Sequence, residues 1–134
     1  MSNPVVQAIL FADRIIEEKN GKKGIIGTFD TIYSPSFPAL AFPWGVYVAI
    51  TGVTSKVQFS LSLKGKSPNP LIHLKGELNG TNAEALIELP LNFENIQFPE
   101  PGNYNFDIEI EGKLIGSRVM KLAIANIQNS QIGG

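Results

Sequence analysis

Hydrophobic side chains recur at every second position through most of this chain, and the 3.6-residue period of a packed helix is nowhere sustained. In KVQFSLSLK, residues 56–64, Val57, Phe59, Leu61 and Leu63 share one side, while Gln58, Ser60, Ser62 and Lys64 share the other. Successive side chains leave opposite faces of a pleated backbone, so a period of two predicts strands with one buried face. WGVYVAITG, residues 44–52, repeats the pattern with Trp44, Val46, Val48 and Ile50, and its β-branched and aromatic content suits a central strand. LIHLKGEL puts Ile72, Leu74 and Leu78 inward and His73, Lys75 and Glu77 outward. AEALIELPLNF aligns Ala85, Ile87, Leu89, Leu91 and Phe93; Pro90, on the outer phase, predicts a sheet edge or a strand end because it has no N–H for a ladder. FPEPGNYNFDIEIEG, residues 98–112, alternates most regularly, with Tyr104, Phe106, Ile108 and Ile110 opposed to Asn103, Asn105, Asp107, Glu109 and Glu111.

Turn chemistry separates these runs: TGVTS around Gly52, KGKSPNP from Lys64, NGTN from Asn79, FPEPGN from Phe98 and EGK at Gly112. Strands of about eight residues with turns every 8 to 12 residues predict an all-β antiparallel sandwich or barrel. A chain of 134 residues fits one domain. Residues 1–125 are expected to form it, with the polar segment 126–134 as a C-terminal tail. Trp44 opens a central strand, and Pro101-Gly102-Asn103-Tyr104 leads into a late strand followed by a tight hairpin. A tyrosine in that place matches the corner that pins a loop through its hydroxyl in immunoglobulin-like sandwiches. Immunoglobulin-like topology is therefore the expectation, with a C2-like or jelly-roll sandwich as the alternative.

The formal charge is −1, with acids and bases interspersed, so no basic surface marks a nucleic-acid or membrane partner. There is no cysteine, hence no disulfide framework, no thiolate nucleophile and no thiolate zinc site. The apolar run Val5–Ala12 lacks a basic leader and a small-residue cleavage site and reads as a strand; no segment approaches the roughly 18 apolar residues of a membrane span. A soluble, cytoplasmic chain without cofactor or metal is expected.

Few residues suggest chemistry. If Glu111-Gly112 turns the last hairpin, Ile108 falls opposite Ile115, Tyr104 opposite Val119 and Asn105 opposite Arg118, which sets Arg118 diagonal to Asp107 as a counter-charge for the acidic row. Side chains on one flat strand point in parallel rather than converging as calcium ligands do, so the row reads as a solvated face. His73, the only histidine, lies on an outer phase and has no cysteine to share a metal with. Asp13 and Arg14 predict a strand end or edge, and Lys19–Gly24 a basic hairpin turn. No G-x-S-x-G, H-E-x-x-H or G-x-G-x-x-G pattern is present. The long connection YSPSFPALAFPWG, residues 33–45, holds Tyr33, Phe37, Phe42 and Trp44; these are the candidate residues for a ligand or a partner, because loops at the end of a rigid sandwich commonly carry binding. The alternative is that they plug the open end of the core.

FADRIIEE and the following GKKGIIGTFDTIYSPSFP, taken with FPEPGNYNFDIEIEG, resemble a family of small uncharacterised bacterial proteins. The shared pattern is a leading strand with an acid, then Gly-Lys, an apolar pair, Gly-x-Phe and Phe-Pro, matched here most closely by Gly27, Phe29, Phe37 and Pro38. The resemblance implies a bacterial sandwich of unknown function and brings no catalytic residues. The expected role is a non-enzymatic module that binds another protein or itself, with the final strand, VMKLAIA, as an exposed edge. A small-ligand or carbohydrate-binding module using the aromatic loop is the alternative, and an enzyme the third reading.

Overall fold

A strand whose inner residues are all large and apolar needs a second layer to cover them, and this chain builds two. The computed structural model describes residues 3–125; the segment 126–134, expected as a tail, lies outside the described residues. The strands are β1 (Val5–Glu17), β2 (Lys23–Phe29), β3 (Thr31–Ser34), β4 (Ala39–Leu40), β5 (Trp44–Thr51), β6 (Lys56–Lys64), β7 (Ile72–Asn79), β8 (Ile87–Phe93), β9 (Gln97–Phe98), β10 (Gly102–Ile110) and β11 (Lys113–Ile124). Among the described residues no helix is long and apolar enough to cross a membrane.

The smaller sheet has the order β2-β1-β5-β8 and the larger β3-β11-β10-β6-β7, while β4 and β9 form a separate short ladder. The chain crosses from β5 to β6, returns from β7 to β8, and crosses again to the hairpin β10–β11. The fold is therefore an all-β sandwich of immunoglobulin-like topology, antiparallel except where β3 joins β11 in parallel.

Between the layers, Phe11, Trp44, Val46, Val48 and Ile50 meet Leu61, Leu63, Phe106, Ile108, Met120 and Leu122, all fully buried. Phe11 stands edge-on to Phe106 across the gap, with ring centroids 6.0 Å apart. Strand β5 is buried on both faces, as its central position requires, and Pro90 lies on β8 at the outer edge of the smaller sheet, where its missing N–H costs no ladder bond. The tyrosine corner forms: the Tyr104 hydroxyl donates to the Glu100 carbonyl at 2.6 Å and accepts the Glu100 N–H at 3.3 Å, and its ring packs edge-on to Phe98.

Two expectations are corrected. Glu111 and Gly112 do make the two-residue turn, with φ of 52° and 78°, and Ile110 pairs with Lys113 as that turn dictates. A bulge then leaves Ile115 unpaired, so Ile108 faces Gly116, Asn105 faces Val119 and Arg118 faces Phe106. Because one residue of slip exchanges the two faces of a strand, Arg118 points inward rather than toward Asp107. Its guanidinium lies 5.5 Å from the Phe11 ring and donates to the Ile9 carbonyl across the seam between the sheets. The final strand is not the exposed edge that its two-sided apolar composition suggests. It sits inside the larger sheet, with β10 on one side and, over Lys121–Ile124, β3 on the other. Asp13 and Arg14 are exposed on the part of β1 that pairs with β2 alone, the edge position expected of them.

On the outer face of the smaller sheet Tyr47 is buried among Ala12, Ile15 and Ala49, and its hydroxyl donates to the Glu88 carboxylate. Burial, reinforced by that bond and the nearby negative charge, pushes the phenol up to about 12 from its usual 10.0. The folded chain then holds this proton where the unfolded chain has lost it, so the contribution is complete below pH 10 and disappears as pH rises toward 12. Thermal midpoints measured from pH 9 to pH 12 are expected to fall less steeply for Tyr47→Phe than for the native chain. Equal slopes would mean that the phenol is not perturbed. Tyr104→Phe is expected to cost about 1–2 kcal/mol in denaturant unfolding, since it removes the corner bonds and leaves the Glu100 amide to find another partner.

Candidate functional site

The outer face of the larger sheet can be read directly from its registers. Asp107 lies between Ser117 of β11 and Ser62 of β6, and Ser62 is opposite His73 of β7. Two residues along, Glu109 lies between Leu114 and Ser60, and Ser60 is opposite Lys75. Each row therefore runs acid, serine, base across β10, β6 and β7. These side chains share the face because their neighbours Phe106, Ile108, Leu61, Leu63 and Ile72 are committed to the core.

With Pro68 and Pro70 of the β6–β7 connection, this face lines an open concavity of about 660 Å³ that includes Ser60, Ser62, Lys64, His73, Lys75 and Glu109. Several positions are locally tethered. Ser117 Oγ donates to Asp107 Oδ1 at 2.6 Å, the Gln58 N–H donates to Glu111 Oε2 at 2.6 Å, and Lys56 Nζ lies 3.4 Å from Glu77 Oε2. The cations facing the acidic column thus stand on β6 and β7 rather than at Arg118.

The row Asp107–Ser62–His73 contains the residue types of a hydrolytic triad in an order that does not serve one. In a triad the imidazole stands between serine and acid, taking the proton from one and being oriented by the other. Here the serine is central, and His73 is two strand spacings, roughly 10 Å, from the carboxylate column. What remains is an array of donors and acceptors in which both charge signs appear, separated by hydroxyls. Among the described residues no three acidic or histidine side chains converge as a metal ion would need.

The four aromatic residues of the 33–45 connection do not form one surface. Trp44 is 1% exposed, with Phe93 at 5.1 Å and Phe11 at 6.3 Å between ring centroids, so it belongs to the core. Phe37 is half-buried against that core. Phe42 is 48% exposed and stands edge-on to Phe29, which in turn packs on Trp44. Tyr33, 66% exposed, lies on β3 beside Ala123. The connection is held down by the β4–β9 ladder, Ala39 to Phe98, and by the Ala41 N–H to the Ile96 carbonyl at 3.0 Å. Plugging the end of the core accounts for Trp44 and Phe37; Tyr33 and Phe42 are left available at the surface. The polar rows were not recognised from sequence because each strand's outer phase reads singly as a solvated face. The signal that could have pointed to them was the match of charged and serine phases between residues 58–64 and 73–77.

Residues 7–123 match a protein family described as of unknown function, DUF6941. Comparison with curated proteins finds no match. Among solved structures, the chain is similar to the alkylpurine DNA glycosylase of Pseudomonas fluorescens bound to DNA containing an abasic-site analogue, at 7% identity and a TM-score of 0.46; 91% of this chain is covered, and it spans 31% of the glycosylase chain. It is also similar to an immunoglobulin-like protein from Pseudomonas aeruginosa, at 12% identity and a TM-score of 0.44, covering 90% of this chain and 97% of that one.

Because Trp44 is enclosed by rings, its emission is expected to be blue-shifted and poorly quenched by acrylamide in the native state, becoming fully quenchable on unfolding. Ready quenching of the folded protein would place the indole at the surface and return it to the candidate site.

Proposed function

The chain belongs to the family of unknown function DUF6941, which its match over residues 7–123 establishes, and from that premise we propose that it is a non-catalytic interaction module whose outer face on the larger sheet receives a protein partner. The observation that carries this reading is the pair of acid–serine–base rows on the face that holds the concavity of about 660 Å³. Its polar groups are spread over neighbouring strands of a rigid sheet, which suits a broad complementary surface better than a small molecule enclosed on all sides. The matching partner presents basic groups over Asp107 and Glu109 and acidic groups over His73 and Lys75. Charge arranged in this way favours one docking orientation and penalises its reverse. Of the four aromatic residues a small-ligand module at residues 33–44 would use, only Tyr33 and Phe42 are exposed, and a hydrolase would need a different order in the Asp107–Ser62–His73 row.

The test is capture from a lysate of the source organism by the immobilised chain, followed by titration of whatever binds. Ser62→Arg, which places a long cation at the centre of the face, is expected to weaken binding by roughly tenfold or more, whereas Glu94→Gln, outside that face, leaves it intact. A partner that binds native chain and Ser62→Arg equally would rule out this face.

A further inference from the structure

We infer that two copies of this chain pair edge to edge through β7, antiparallel about a two-fold axis, with Lys75 of one copy opposite Glu77 of the other. The inference deepens the interaction reading and rests on it, since such pairing continues each copy's outer face into that of the second copy.

Of the four strands at the edges of the two main sheets, β3 has 4 residues, β8 carries Pro90 at its centre, and β2 is broken by Gly27 at a φ of 71°. Each of these is a feature that blunts pairing. Strand β7 has 8 residues, no proline and no positive φ. Of these four it is therefore the longest edge strand that carries no such feature.

The hydrogen-bond phase of that edge can be deduced. The Gly80 N–H donates to the Ser55 carbonyl, which extends the β6–β7 ladder and shows that even-numbered residues of this segment turn their backbone groups toward β6. On the other side of β6 the Glu111 N–H donates to the Gln58 carbonyl, so the even residues of β6 face β10 and its odd residues face β7, in agreement. His73, Lys75, Glu77 and Asn79 must then present their N–H and C=O groups to the free edge. A second β7 strand can bond to it only in registers that place odd residues opposite odd residues.

Charge selects among those registers. One puts Lys75 opposite Lys75 of the other copy, and another puts Glu77 opposite Glu77; directly opposed like charges destabilise a strand pair. The register between them sets Lys75 opposite Glu77 twice, once on each side of the axis, and His73 opposite Asn79. On the inner side it brings Leu74, 38% exposed in the single chain, opposite Leu78 of the second copy. Gly76 meets Gly76 at the axis, where paired Cα atoms approach most closely. The absence of a Cβ there is already required within one chain, because the Phe59 ring occupies the space: a Cβ would lie 2.7 Å from it. The lysine that guards this edge against unrelated strands thus becomes one half of a pair specific to a second copy.

Analytical ultracentrifugation of the native chain from about 1 μM to about 1 mM tests the assembly. The expected result is a monomer–dimer equilibrium. Lys75→Glu and Glu77→Lys, each at an exposed site and checked for native circular dichroism, are expected to raise the dissociation constant by roughly tenfold or more, and K75E/E77K together to restore it. Amide exchange at His73, Lys75, Glu77 and Asn79 is expected to slow as the native chain is concentrated, a readout that needs no variant. A native chain that stays monomeric to about 1 mM, single variants that dimerise as well as the native chain, or a double variant that does not recover would each overturn the proposal. Should the chain be monomeric while Ser62→Arg still abolishes partner capture, the edge pairing falls and the face reading stands. A dimer whose captured partner is indifferent to Ser62→Arg gives the reverse.

Discussion

The contact on which the rest of the structure depends is the packing of the inner row of β5 against those of β6, β10 and β11. Trp44, Val46, Val48 and Ile50 come from one layer; Leu61, Leu63, Phe106, Ile108, Met120 and Leu122 come from the other. Each of these side chains removes enough apolar surface from water to contribute about 1.5–3 kcal/mol. A slip of one residue in any of these strands would turn its inward set outward. Once they are committed inward, the period of two leaves their neighbours no choice, and Ser60, Ser62, Asp107 and Glu109 must face outward together. The polar face is thus imposed by the core rather than assembled separately.

One extra residue decides how that face is charged. The bulge at Ile115 turns Arg118 into the seam between the sheets, where it contacts Phe11 and the Ile9 carbonyl, and so withdraws a cation from the acidic column of β10. The column keeps Ser117 as a hydroxyl donor, and the lysines facing it, Lys64 on β6 and Lys75 on β7, stand a strand or more away. Opposite charges held apart by a row of serines do not collapse into local ion pairs. They remain available to a complementary surface, which is the physical content of the interaction reading.

Much of the architecture was legible in the chain because it is local. The alternation located β5, β6, β7, β8 and β10, Glu111-Gly112 marked the hairpin, Pro90 marked an edge and Tyr104 marked the corner, each through a constraint acting within a few residues. The failures are non-local. The parallel pairing of β3 with β11 joins residues 31–34 to residues 121–124, and nothing in VMKLAIA announces that β3 will cover its end. The bulge is invisible to a pattern in which both Ile115 and Gly116 are acceptable on an inner phase. The aromatic connection misled because Trp44 looks the same in a binding loop and as the first residue of a buried strand.

The sequence by itself determined the class of the fold and most of the inward and outward sets of β5, β6, β7, β8 and β10, because side-chain direction on an extended backbone is set by parity alone. Tertiary structure decided which outward sets became neighbours, which strands were left with an open edge and which way Arg118 turned. Those outcomes depend on strand order and on single-residue offsets between segments far apart in the chain, and parity within one strand carries no information about either.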